Sequence, residues 1–204
     1  MKASIAKQKS DNLVENFYKK GRGLRSTDLK NYTSGDHDHD GLEEIVTTIL
    51  TSAMSEAGIS SDRWKIDGRY FNPEDVEAED PQRLDHHIWI DEKCVLLVED
   101  RAWIDKPFYT LKRAVVRNMM ELPYVRNRLH DDVQFIIVGL CIDIKQRLID
   151  TLDKTMDYGD RVDHFKLSPY RRGWQGGNYF DHGVNKQEFD RLWSFLVSHF
   201  RKFA

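Results

Sequence analysis

The sequence predicts an α/β fold in which a central mixed β-sheet is flanked by helices on both faces. Three observations support this prediction. Residues 133–143, VQFIIVGLCID, are almost wholly apolar, as expected of a strand in the buried centre of a sheet. Residues 86–90 and 94–100 have the composition of two more strands, and the short DEK segment between them predicts a tight hairpin. Segments with helical periodicity precede and follow these strands, which is typical of a sheet covered by helices.

Three helices are predicted before the central strand. Residues 10–21 form the first, with apolar residues on one face. The second spans residues 41–58, begins at about Leu42 and ends at Gly58, because glycine is a common helix stop. The third spans residues 107–122 and is entered through a proline, which the first turn of a helix tolerates.

The remaining segments are less regular. A short strand is possible around residues 64–71, and residues 144–156 have the pattern of a fourth helix. Residues 157–183 are a long turn-rich excursion, and residues 185–203 form an amphipathic closing helix. Because no linker or repeat interrupts the chain, we expect one domain over residues 1–204.

Composition favours a soluble cytoplasmic protein. The chain has 204 residues, 40% of them hydrophobic and 32% charged, which is sufficient for a full core. Its longest apolar runs are too short for a membrane span, and the N-terminus lacks the apolar core of a signal peptide. Cys94 and Cys141 both lie in apolar strand-like runs, so we expect buried free thiols in a reducing compartment.

The net charge of −3 is unevenly distributed. Residues 31–105 carry six basic and nineteen acidic residues, a net charge of −13, whereas residues 1–30 and 106–204 each carry +5. An acidic centre between basic ends is compatible with a cation site beside phosphate-binding surfaces. Uneven solvated surface is an equally good interpretation of the charge pattern alone.

Two acids of the predicted hairpin are expected to be neighbours. Asp85 lies at the start of the first strand and Glu99 at the end of the second. Hairpin pairing brings these two positions together, and adjacent carboxylates repel each other unless a cation lies between them. Oxygen ligands with room for water and a substrate phosphate suit Mg²⁺. In the alternative interpretation, Asp85 caps a turn and Glu99 pairs with Arg101.

The chain resembles the metal-dependent nuclease superfamily defined by Asp, then Asp or Glu, any residue, and Lys. The resemblance rests on Asp85, Glu99 and Arg101 and on the order of the helices and strands around them. The resemblance covers residues 41–142, and type II restriction endonucleases are its best-known members. It implies a restriction-endonuclease-like core in which Asp85 and Glu99 hold Mg²⁺ on the scissile phosphate. Arg101 occupies the position of the family lysine. Because arginine stays protonated, Arg101 is expected to stabilise charge and not to act as a base.

The resemblance implies a Mg²⁺-dependent type II restriction endonuclease that cleaves double-stranded DNA at a short palindromic site as a homodimer. Protein two-fold symmetry would then match the symmetry of the site. Two alternatives remain open: a nuclease of the same fold without sequence specificity, in repair or anti-phage defence, and a non-catalytic DNA-binding relative.

The family often takes an additional ligand from a glutamate on the preceding helix. Glu43 and Glu44 both lie in the first turn of the second predicted helix, and at most one of them can face the site because they are adjacent. Glu44 is the one assigned to the catalytic set. Acids at a helix N-terminus also stabilise the helix itself, which is the alternative explanation for both.

Candidate DNA contacts form two groups. The first lies at and after the start of the third helix, and the second lies in the excursion, where arginine and amide side chains could read bases in a groove. The groups are Lys106, Lys112, Arg113 and Arg117, and Lys166, Arg171, Arg172, Gln175 and Asn178. The apolar face of the closing helix either forms a dimer interface or packs within the subunit.

Overall fold

The computed structural model describes residues 37–67, 84–104, 106–142, 162–167 and 185–204, with residues 7, 8, 12, 145, 147 and 148. The helices are α1 (His37–Ala57), α2 (Lys106–Glu121), the short α3 (Pro123–Arg126) and α4 (Lys186–Phe200), which continues into a 3₁₀ turn (Arg201–Phe203). The strands are β1 (Trp64–Asp67), β2 (His86–Ile90), β3 (Lys93–Ile104), β4 (Leu129–Ile142) and β5 (Val162–Lys166).

The five strands form one mixed sheet in the order β1-β2-β3-β4-β5. β1, β2 and β3 are antiparallel neighbours, whereas β3, β4 and β5 run parallel. The chain from β3 to β4 passes through α2, as a parallel connection requires a crossover segment. β4 contains the apolar run predicted to lie at the centre of a sheet, and its side chains from Phe135 to Val138 are buried.

Helices cover both faces of the sheet, which confirms the predicted fold class. α1 and α4 pack on one face, where their apolar side chains form a core with alternate residues of β2, β3 and β4, among them Leu96 and Val98. α2 packs on the other face, where the core includes Leu97, Phe135 and Ile137. These two layers are called the α1/α4 face and the α2 face below.

The ends of α1 differ in how well they were predicted. Gly58 has a φ of +88°, and the amides of Gly58 and Ile59 donate to the carbonyls of Ser55 and Met54. This pattern is a Schellman motif, so the predicted stop at Gly58 is confirmed. The helix begins at His37, however, five residues before the predicted start. Acids in a first turn favour the helix by opposing its dipole, so the acidic segment joins the helix.

The β2–β3 hairpin closes through Asp91 and Glu92, which confirms the predicted tight turn. Both residues have positive φ, as a type I′ hairpin turn requires. Further along, β3 bulges at Val95, which has no partner in the register of either neighbouring strand. Its free carbonyl accepts a hydrogen bond from Nε2 of His199 on α4, at 2.8 Å. The bulge therefore ties the closing helix to the centre of the sheet.

The closing helix packs within the subunit. The side chains considered for a dimer face are all buried in the core of the α1/α4 face: Phe189, Leu192, Trp193, Leu196 and Phe200. They are therefore unavailable to a second subunit. Among the residues that the structure describes, no helix is both long and apolar enough to cross a bilayer.

Two predicted helices, residues 10–21 and 144–156, fall almost wholly outside the described residues. Part of the predicted excursion is instead strand β5, which pairs with the edge of β4. Two of its five side chains, Val162 and Phe165, are buried, so this segment belongs to the sheet. Of the two cysteines, Cys94 is a buried free thiol, as predicted, and burial raises its pKa.

Candidate metal centre

The candidate site lies where β2 begins and β3 continues beyond it. The last paired residues of the hairpin are His86 and Val98, and beyond them β3 runs on beside β4. Here the side chain of Asp85 replaces the missing strand, because the backbone amide of Asp100 donates to its Oδ2 at 2.7 Å. Asp85 is thus held at the edge of β3, one residue before β2.

Glu99 and Asp100 lie on opposite faces of β3, since strand side chains alternate. Asp100 follows Leu96 and Val98 on the α1/α4 face, and Glu99 follows Leu97 on the α2 face. Both acids are almost completely buried, with 0% and 1% of their surface exposed. Ionised side chains are rarely buried unless they are paired with an opposite charge, hydrogen-bonded or bound to a metal, so each acid is expected to have such a partner.

On the α1/α4 face, Asp100 lies in a cluster of three carboxylates with Asp85 and Glu43. One oxygen from each residue lies within 4.8 Å of the others. Glu43 comes from the early part of α1, next to Leu42, whose burial in the core turns this part of the helix toward the sheet. Among the described residues, no lysine or arginine pairs with any of the three.

His86 holds one oxygen of Asp100. Its Nε2 lies 2.8 Å from Asp100 Oδ2, and both side chains are buried. The other oxygen, Oδ1, is buried and has no hydrogen-bond partner in the part of the chain that the structure describes. Burial raises the pKa of Asp100, the charges of Asp85 and Glu43 raise it further, and the hydrogen bond from His86 lowers it.

This cluster fits a divalent cation. Within the described part of the chain, three carboxylates converge with no lysine or arginine paired to them, and one of them carries a buried oxygen that lacks a donor. Hard cations such as Mg²⁺ prefer carboxylate oxygens and retain waters that a substrate phosphate can replace. Glu43, Asp85 and Asp100 are the residues that would hold the ion.

On the α2 face, Glu99 is paired with bases. Lys112 Nζ lies 2.7 Å from Glu99 Oε2, and Arg101 Nε lies 3.9 Å from Oε1. Burial and the charge of Asp85 raise the pKa of Glu99 to about 8, while Lys112 and Arg101 oppose this shift. Asp85 therefore influences both acids of β3, although it joins the three-carboxylate cluster with Asp100.

Arg101 and Lys112 share an aromatic neighbour. The guanidinium of Arg101 lies 4.2 Å from the ring centre of Phe108, and Lys112 Nζ lies 5.6 Å from it. The Arg101 side chain remains 43% exposed, against 13% for Lys112. Arg101 is thus the more accessible cation for an anion from solvent, and Lys112 is mainly engaged with Glu99.

The structure brings together some of the site residues predicted from the sequence and separates others. Asp85 and Glu99 interact electrostatically. The β3 carboxylate that joins Asp85 in the cluster, however, is Asp100 and not Glu99. From α1, Glu43 supplies the inward carboxylate. Glu44 was the one assigned from the sequence, and its side chain lies outside the described residues.

The predicted DNA contacts on α2 are not equivalent. Lys106 is exposed, whereas Arg113 is only 4% exposed and stacks on Tyr109, so it does not present its charge to solvent. Arg117 is exposed and pairs with Glu121 one turn later, at 3.4 Å. Arg113 and Arg117 are therefore not equally accessible to a ligand, because Arg113 is buried.

Of the second group of predicted DNA contacts, the structure describes Lys166. Lys166 ends β5 and is partly buried, and its backbone amide donates to Glu188 of α4. Arg171, Arg172, Gln175 and Asn178 lie outside the described residues.

Sequence reasoning missed two members of the site. Asp100 was passed over because the family spacing selects its neighbour Glu99. His86 is not among the site residues predicted from the sequence. The hairpin pairing offers a signal for both residues. His86 is opposite Val98, and Asp100 is two residues beyond Val98 on the same face, so the two side chains are diagonal neighbours that can touch.

No protein-family model matches the chain, and no curated protein or solved structure matches it. The function of the site therefore has to be inferred from its own residues.

Proposed function

We propose that this protein is a Mg²⁺-dependent endodeoxyribonuclease. The observation that carries the proposal is the buried Asp100, whose Oδ1 lacks a donor among the described residues and lies in a cluster with Asp85 and Glu43. A bound divalent cation lowers the pKa of a water and offsets the charge that develops on a phosphate, which is the chemistry that phosphodiester hydrolysis needs.

Two groups of residues divide the work in this proposal. Glu43, Asp85 and Asp100 would hold the ion on the α1/α4 face of β3. Arg101, exposed and always protonated, follows Asp100 on the opposite face of β3 and would supply a fixed positive charge to the DNA backbone beside the site. Since arginine does not release its proton, Arg101 supplies electrostatic stabilisation, not proton transfer.

Glu99 and Lys112 have a supporting role here. The buried carboxylate anchors Lys112, which in turn packs beside the Phe108 ring under Arg101. A rigid aromatic neighbour limits the positions that the guanidinium can adopt, and cation–ring attraction favours its stacked orientation. Lys112 therefore helps to build the surface on which Arg101 meets DNA.

The finer proposal is a type II restriction endonuclease that cleaves a short palindromic site as a homodimer. It is supported by the order of elements around Asp85 and Arg101, which resembles that enzyme class. Two active sites related by two-fold symmetry would cut both strands of a symmetric sequence. Because the apolar face of α4 is buried within the subunit, the dimer interface must lie elsewhere.

The proposal is tested by incubating the full chain with a supercoiled plasmid of mixed sequence, with Mg²⁺, with Mn²⁺ and with EDTA. Asp85→Asn should lose cleavage by at least about a hundredfold, because it removes a charge from the cation ligands. DNA binding by the same variant should persist in a mobility-shift assay. Asp62→Asn is the matched control, since Asp62 is an exposed acid that accepts a hydrogen bond from Ser60 and is not a member of the cluster.

Each product pattern has a distinct meaning. Discrete bands support a sequence-specific enzyme, and a smear supports a nuclease of this fold without sequence specificity. Intact DNA under both metals contradicts the nuclease, and DNA binding without cleavage then identifies a non-catalytic DNA-binding protein. Wild-type cleavage by Asp85→Asn would show that the proposed residues are not the active site.

A further inference from the structure

His86 is the one described side chain that hydrogen-bonds the carboxylate of Asp100. It begins β2, directly after Asp85, and is only 4% exposed. Because an ionised carboxylate can only accept hydrogen bonds, Nε2 of His86 is the donor. This hydrogen bond is made to Asp100 Oδ2. The other oxygen, Oδ1, has no donor among the described residues.

The last torsion of an aspartate has broad minima, so a carboxylate rotates easily unless something holds it. Asp100 also lies beside two other acids, which repel its charge. Without a donor on Oδ2, rotation or protonation would relieve that repulsion. The hydrogen bond from His86 opposes both, because it fixes one oxygen and favours the ionised form.

We infer that His86 is a positioning residue that holds Asp100 in the orientation in which its free oxygen binds the divalent cation. This inference rests on the metal site of the proposed function. Groups that hydrogen-bond metal ligands typically change metal affinity by about 10- to 100-fold when they are removed. The backbone amide of Asp100 donates to one oxygen of Asp85 in the same manner, so Asp85 and Asp100 each have one oxygen fixed.

The sharpest test compares two polar substitutions of different length. The amide nitrogen of glutamine reaches about as far as Nε2 of histidine, whereas that of asparagine falls short of Asp100. We expect His86→Asn to weaken Mn²⁺ binding by about 10- to 100-fold, measured by calorimetry on the full chain. His86→Gln should retain most of the affinity. His199→Asn is the control, because His199 is a buried histidine whose partner is the carbonyl of Val95.

The outcomes separate the inference from the metal site itself. Wild-type affinity in His86→Asn, or equal losses in His86→Asn and His86→Gln, would overturn the positioning role. No Mn²⁺ binding by the wild-type chain would overturn the metal site and the inference together. Thermal melts confirm folding, and if His86→Asn does not fold, His86→Leu removes the donor without burying an unpaired amide.

Discussion

Two neighbouring buried acids meet partners of opposite charge on the two faces of β3. On the α2 face, Glu99 lies beside Lys112 and Arg101, which offset its charge. On the α1/α4 face, Asp100 lies beside two further carboxylates and a single histidine. The backbone, the strand and the degree of burial are almost the same, so only the side chains that meet each acid differ.

This difference distinguishes an acid that builds structure from one that is prepared for a ligand. A buried charge with a close partner of opposite sign is partly compensated, and removing the partner leaves that charge unpaired. A buried acid placed among like charges is costly to the fold unless a cation binds there. The experiments below test this division, beginning with the largest expected effect.

Replacing each acid with its amide tests the division most directly. We expect Asp100→Asn to reduce Mg²⁺-dependent cleavage by about a hundredfold to a thousandfold, because it removes a charge from the cation ligands. Glu99→Gln should bind Mn²⁺ like the wild type and lose much less activity, since its carboxylate faces Lys112. Plasmid cleavage rates and Mn²⁺ calorimetry measure both effects.

The reverse result is equally informative. Loss of Mn²⁺ binding in Glu99→Gln, with normal binding in Asp100→Asn, would show that the ion lies between Asp85 and Glu99. That was the ligand pair expected from the sequence. It would require the cation to displace Lys112 from the carboxylate.

The sequence predicted the fold well because its main elements have strong local signals. The apolar stripe of residues 41–58 and the apolar run of residues 133–143 identify α1 and β4 without any knowledge of the tertiary structure. The tight hairpin follows from the short DEK segment. β5 was missed because a five-residue strand with three polar side chains has no periodicity that distinguishes it from a loop.

The choice between Glu99 and Asp100 could not be made from the sequence. β3 is buried on both faces, so residues 94–98 are apolar throughout and show no alternation that marks a face. A shift of one residue exchanges the two faces of a strand. Only the packing of α1 and α2 against the sheet decides which acid meets Glu43 and which meets Lys112.

The Glu99–Lys112 pair should contribute to stability. Lys112→Met removes the closest cation from a buried acid while keeping most of the side-chain volume. Since Arg101 remains nearby, we expect a loss of about 2 kcal/mol in the free energy of unfolding, below the usual cost of breaking a fully buried pair. Urea denaturation of the wild type and the variant measures the loss.

A double-mutant cycle isolates the interaction. Adding Glu99→Gln to Lys112→Met should recover part of the loss, because no unpaired charge is then buried. Arg117→Met is the control on the same helix, since its pair with Glu121 is exposed and should be worth less than about 0.5 kcal/mol. Additive effects in the cycle would mean that Glu99 is not stabilised by Lys112, and the contrast between the two faces would disappear.

Substitution of His199 should have the smallest effect. His199 is a buried polar residue on the same face as Asp100, but its ring is hydrogen-bonded to the backbone and not to a carboxylate. Its Nε2 donates to the carbonyl of Val95 at the bulge. Burial lowers the pKa of His199, Lys202 and His130 lower it further, and Asp132 and the hydrogen bond oppose them. The folded protein therefore favours the neutral ring.

The sign of the pH effect follows from that preference. Above the ordinary pKa of histidine both states are neutral, and the stabilising contribution of His199 is complete. As the pH falls below it, the unfolded chain binds a proton before the folded one does, and the contribution is lost. His199→Asn, whose amide is too short to reach the carbonyl of Val95, should therefore be less stable than the wild type at pH 7.5, by about 1 kcal/mol at most.

The difference between the two proteins should shrink as the pH falls toward 5, as measured by urea denaturation at several pH values. Cleavage and Mn²⁺ affinity at pH 7.5 should not change, because His199 contacts the bulge and not the carboxylate cluster. A difference that grows on acidification would mean that the folded state prefers the charged ring. A loss of Mn²⁺ binding would mean that the bulge at Val95 and the carboxylate cluster are coupled through the α1/α4 face. A buried histidine with its own hydrogen-bond partner would then still affect the metal site.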